Sequence, residues 1–207
     1  MSIDEPSAPR RRLFLRTVAA ATAAVAVSGC ASLLPSSPVP TFDLTAPRDF
    51  PRHGNGRGML IVGEPTALSI LDTDKIVVRP GGGQIGTLAG AQWSDRLPKL
   101  LQARLIQSFE NANRLRGIGR PGENVTPDYR LIVEVRSFHL AIAGSPTAEV
   151  ELSVKIIADR AGRVVAARIF RAAVPAGSSD GPVAATAIDA AFQQAATEIV
   201  VWASRTI

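Results

Sequence analysis

AEVELSVKIIADRAGRVVAARIFRAA, residues 148–173, decides the fold. Ala148, Val150, Leu152, Val154 and Ile156 alternate with Glu149, Glu151, Ser153 and Lys155, the two-residue period of a strand with one buried face. Asp159-Arg160-Ala161-Gly162 is turn chemistry, and Val164 to Ala173 returns beside the first run. The stretch therefore predicts an antiparallel hairpin. Its apolar face needs a cover, and the chain on either side has to supply one.

Upstream, Tyr129, Leu131, Val133 and Val135 alternate with Arg130, Glu134 and Arg136, a third half-buried strand. Residues 114–127 read as a glycine-rich loop. Before it, Leu97, Leu100, Leu101, Leu105 and Phe109 recur at helical spacing, with Arg96, Lys99, Arg104 and Gln107 off that stripe. Ser94 is the expected N-cap, and the helix should end near Asn113. Lys75–Arg79 and Gln84–Leu88 flank Pro80-Gly81-Gly82-Gly83 as a hairpin. Met59–Val62 and Thr41–Leu44 read as short strands, with a loop over residues 48–58. Downstream, Gly177 to Gly181 is a loop and Pro182 suits the opening of a helix. Ala184, Ala187, Ile188, Ala191, Ala195, Ile199 and Trp202 form its apolar face. The order is strands, helix, three strands, helix. That predicts an α+β two-layer domain, a mainly antiparallel sheet covered by two amphipathic helices.

The N-terminus carries a different signal. Arg10, Arg11, Arg12 and Arg16 precede an uncharged Ala/Val run from Thr17 to Val27, which ends at Val27-Ser28-Gly29-Cys30. This is the three-part layout of an export signal, and the run is short of the roughly 20 residues a bilayer span needs. Small residues leading into the only cysteine resemble a lipobox, in which the Cys30 thiol receives lipid and becomes the first residue of the mature chain. Arg11-Arg12-Leu13-Phe14-Leu15-Arg16 also resembles a twin-arginine motif, so Arg11, Arg12, Phe14 and Leu15 leave two export routes open, twin-arginine and general secretory. The expected organisation is a signal peptide at 1–29, lipidated Cys30 with a Pro/Ser-rich tether to residue 41, and one domain over 42–207. The tether, ASLLPSSPVP, favours extended backbone and reaches on the order of 30 Å at about 3.1 Å per residue.

Removing residues 1–29 takes away four arginines and two acids and lowers the formal charge from +5 to +3. The working protein is thus only mildly basic, which argues against nucleic acid as a partner. With its one cysteine lipidated, the chain has no internal disulfide, and packing must carry stability.

No catalytic or metal constellation is legible. His53 and His139 are the only histidines, without the grouped ligands zinc requires or a nucleophile with its base. Gly117-Ile118-Gly119-Arg120-Pro121-Gly122 matches a dinucleotide fingerprint by letter, but it follows a helix and precedes a strand, the reverse of the required context. Trp93 and Trp202, beside the two helices, are either core packers or contacts for a partner or lipid surface.

With these elements placed, the chain resembles the PqiC-like ABC-type transport auxiliary lipoproteins. The likeness runs through Phe42-Asp43-Leu44 with Pro47, Trp93-Ser94-Asp95-Arg96-Leu97-Pro98, Leu131-Val133-Val135-Phe138, the 148–154 strand, Asp159 with Gly162, Phe170, and Glu198-Ile199-Val200-Val201-Trp202. Phe42 stands where tyrosine is commoner. The resemblance implies a periplasm-facing lipoprotein with no cofactor beyond its covalent lipid. It would be a non-catalytic partner of an ABC permease, its ATPase and an MCE-domain protein, alone or as a homo-oligomer. Such systems move phospholipid or other hydrophobic molecules between inner and outer membranes and support membrane integrity. Ala31 after the cysteine points to the outer membrane by the enteric sorting rule. Two other classes compete: a structural or chaperone-like assembly lipoprotein, and a lipid-anchored hydrolase, against which the missing catalytic set argues.

Overall fold

One long strand organises the sheet. In the computed structural model, which describes residues 38–51 and 56–207, β7 (Tyr129–Ala141) has different neighbours on its two edges. Along one edge it pairs over its whole length with antiparallel β8 (Thr147–Ala158), which pairs in turn with antiparallel β9 (Arg163–Pro175). The hairpin expected from residues 148–173 is these last two strands. Along the other edge three short strands follow one another in parallel: β2 (Met59–Val62), β3 (Thr66–Ala67) and β4 (Lys75–Gly81). β5 (Gln84–Trp93) pairs antiparallel with β4, β1 (Thr41–Phe42) lies parallel on β5, and β6 (Gly117–Gly119) lies parallel on β2.

The long ladders are antiparallel and the short ones mostly parallel, so the sheet is mixed. β6 lies inside the stretch the sequence predicts as loop, and it adds a fourth strand between the helices. Three residues, two of them glycine, carry no alternation to read. The first strand is also shorter than expected, ending at Phe42.

Helix α1 (Leu97–Ala112) packs on β2 and β6, and α2 (Gly181–Thr206) on β5, β7, β8 and β9, so both cover one face of the sheet. Arg96, not Ser94, stands at the α1 N-cap, and no side chain caps it. The Ser94 N–H is taken elsewhere, donated to the Phe42 carbonyl at 2.8 Å, which ties the approach to the helix to β1. The helix stops at Asn113, whose left-handed φ of 48° suits an αL cap. Between sheet and helices lies a single core, with Leu131, Val133, Leu152, Val154, Leu101, Leu105 and Ile188 fully buried. Each such side chain contributes about 1.5–3 kcal/mol on leaving water. The segment after β1 straps the two helices together. Asp43 pairs with Arg104 of α1, the Thr45 N–H donates to Asp189 Oδ1 of α2 at 2.7 Å, and Leu44 and Ala46 are buried beneath. Residues 39–207 form one compact unit containing this core. Among the described residues no helix is long and apolar enough to cross a membrane.

Candidate binding cleft

The parallel order β6-β2-β7 forces a crossover. The chain leaving β6 at Gly119 must return to start β7 at Tyr129, and β2 lies between the two. Because α1 occupies one face there, residues 120–128 pass over β2 on the other face, which is free of helices among the described residues. Such connections are usually helical; this one is irregular, with Pro121, Gly122 and Pro127.

Glycine makes the close crossing possible. A Cβ on Gly119 would sit 2.5 Å from Glu123 Oε2 and 3.1 Å from Ile61 Cδ1, and one on Gly117 would sit 2.5 Å from Met59 Sδ. The apparent nucleotide fingerprint thus has a packing explanation: Gly119 leaves room for Glu123 of the crossing loop, and Gly117 for the Met59 side chain of β2. Asp128 pins the far end of that loop. Its Oδ2 accepts from the Met59 N–H at 2.8 Å and from Arg116 at 2.7 Å, its N–H donates to the Met59 carbonyl, and its carbonyl accepts from the Asp159 N–H.

Between the crossover and the sheet is a cleft of about 450 Å³. Ile61 and Ile132 form its apolar floor, and Pro121, Val125 and Pro127 belong to its wall. Ile61 is covered, but Ile132 and Val125 remain 42% and 45% exposed. Arg120, Glu123 and Arg130 line the same space. Arg130 is held by Asp159, whereas Arg120 has no ion-pair partner among the described residues. The arrangement can bind, and its lining holds no serine, cysteine, histidine or lysine to act as a nucleophile or base.

Neither floor nor rim was legible as a site. The signal was Ile132, the one apolar residue among Arg130, Glu134 and Arg136 on the polar side of the β7 alternation.

The residues singled out by sequence fall into three groups. Arg11, Arg12, Phe14, Leu15, Val27, Ser28, Gly29, Cys30 and His53 lie outside the described residues. Trp93 is a core side chain, 2% exposed, its ring edge-on to Phe138 at 6.0 Å. It therefore offers no surface to a partner or lipid, because β5 turns it inward between sheet and helices. Trp202 is half-buried, edge-on to Phe170 at 5.4 Å, and lines a shallow groove with Arg168, Val201 and Arg205.

His139 lies within β7, buried, with Nε2 3.3 Å from Glu149 Oε2. Burial, and next the nearby Arg79 charge, push its pKa below the ordinary 6.5, only partly opposed by Glu149. It is a core histidine held neutral. No three His, Cys, Asp or Glu side chains among the described residues group to hold a metal.

A family model described as "ABC-type transport auxiliary lipoprotein component" matches residues 41–200. A Bradyrhizobium diazoefficiens protein, bll6063, is 35% identical over 163 residues, 78% of this chain. The chain spans only 44% of that relative's length. Among solved structures, protein XCC0632 from Xanthomonas campestris is similar at 32% identity and a TM-score of 0.70, covering 81% of this chain and 94% of that one. A further solved structure, at 13% identity and a TM-score of 0.63, shares the fold alone.

Proposed function

The chain belongs to the ABC-type transport auxiliary lipoprotein family, and from that premise we propose that it is a non-catalytic envelope subunit of an ABC transporter that works with an MCE-domain protein. In this reading residues 1–29 are removed and Cys30 is acylated. Residues 31–41 tether the 42–207 domain to the periplasmic face of the outer membrane. Its partners are the permease, the ATPase and the MCE-domain protein, and the cargo is phospholipid or another hydrophobic molecule passing between the two membranes.

The observation that carries this reading is the position of the family match, which begins at residue 41, directly behind Val27-Ser28-Gly29-Cys30 and its proline-rich tether. Acylation suits the role physically. Each buried CH₂ contributes about 0.8 kcal/mol, so one chain holds marginally and two or more hold firmly. With Trp93 in the core, docking falls to the sheet face that no described helix covers or to the edge of β9 that no described strand pairs with.

The test is recovery of the native lipoprotein from membranes with identification of what accompanies it, together with mass spectrometry of Cys30. Co-purification of permease, ATPase and MCE-domain protein with a diacylated Cys30 is the expected result. An unmodified Cys30 thiol, or an outer-membrane assembly machine in place of transporter subunits, would overturn it.

A further inference from the structure

We propose that the cleft between the 120–128 crossover and the helix-free sheet face binds one single-chain anionic amphiphile. The alkyl chain would lie on Ile61, Val125 and Ile132, with the acidic head at Arg120.

Size selects a single chain. A methylene is about the size of a water molecule, whose share of the liquid is about 30 Å³. A cleft of about 450 Å³ therefore has room for on the order of fifteen methylenes, the size of one alkyl chain. That volume also falls within the range of small-molecule sites, about 300–1,000 Å³, which combine an apolar lining with a few placed polar groups.

Chemistry selects the sign of the head. Ile132 and Val125 are left open to water where every neighbour along that side of β7 is charged, so an apolar group gains by covering them. Two arginines and one glutamate line the space, and with Arg130 answered by Asp159 the sign of the head is set by Arg120 against Glu123. Among the described residues Arg120 has no ion-pair partner, which leaves its guanidinium for a carboxylate or phosphate bound through paired hydrogen bonds. The site is preformed, since Asp128 fixes one end of the crossover and β6 the other.

The experiment titrates the compact 39–207 unit with dodecanoate and dodecyl phosphate below micelle-forming concentration, by calorimetry and amide chemical shifts. Dodecanol and dodecyltrimethylammonium serve as the neutral and cationic comparisons. One saturable site is expected for both anions, about tenfold tighter than for dodecanol, with no binding of the cation. Whichever anion binds more tightly identifies the head as carboxylate or phosphate. Arg120→Glu should weaken both anions about tenfold while leaving dodecanol unchanged, and Glu123→Gln should tighten both anions. Ile132→Glu should abolish all binding without altering the melting temperature. Absence of a saturable site for either anion would overturn the proposal, as would binding that Arg120→Glu and Ile132→Glu leave untouched. None of these readouts depends on the transporter subunits, so failure here leaves the transport reading standing, and the reverse holds.

Discussion

The two faces of β7 are built from alternate residues of one strand and do different work. On the helix-covered face Leu131, Val133 and Val135 are 0–2% exposed and belong to the core. On the other face Glu134 and Arg136 join a charged ladder with β8 and β9. Arg136 lies 3.6 Å from Glu134 and 3.8 Å from Glu151, and Arg171 Nε donates to Glu151 at 2.8 Å. The covered face supplies the stability of the domain. The open face contributes little to it and is free to be specific. Against that ladder an exposed Ile132 stands out in a way it would not on an apolar surface.

If this division is right, equal truncations on the two faces should differ severalfold. Leu152→Ala, on the covered face of β8, should cost about 2–5 kcal/mol in denaturant unfolding, because a fully enclosed side chain leaves a cavity. A loss under 1 kcal/mol would mean that the helices do not seal that face.

Gly119→Ala tests the crossover, which belongs to the open face but is tightly packed. Its new methyl meets the carboxylate end of Glu123 and the terminal methyl of Ile61, side-chain ends that can give, so a loss of about 1 kcal/mol is expected. The Gly119 and Glu123 amide signals should shift with it. No change in either would show that the loop is not held down.

The ladder should yield less. A double-mutant cycle on Arg171 and Glu151 should give a coupling of about 0–1 kcal/mol that fades with added salt, as for other exposed pairs. A larger, salt-insensitive coupling would place that pair beneath something.

Smallest at neutral pH is His139→Gln, which keeps a donor for Glu149. Because the folded state holds His139 below its unfolded pKa of 6.5, the unfolded chain binds the extra proton first on acidification. The native protein should therefore lose stability as pH falls below about 6.5 and on through the depressed folded value. The glutamine variant should lose less over that window, read as the difference between their melting temperatures at each pH. Parallel curves would count against a neutral, buried imidazole.

Much of the fold was legible because it was written locally. The alternation over residues 129–135 and 148–156 and the leucine stripe from Leu97 each repeat over enough residues to set a period, and β7, β8 and α1 follow. The α+β class came with them, since apolar faces of that size must be covered. β3, two residues long, and β6, three, offered no period, and each exists only because β7 or β2 presents an edge to pair with. The core position of Trp93 was equally hidden, because a tryptophan beside a helix reads the same whether β5 turns it inward or outward.

By itself, then, the sequence determined the long elements, the fold class and the resemblance that led to the family, each resting on neighbours within a few residues or on the order of motifs. Only the tertiary structure decided that β2 would lie between β6 and β7, which sends residues 120–128 over Ile61 and Ile132 and makes the cleft. Parallel pairing joins segments far apart in the chain, and its register is set by what packs on both faces at once.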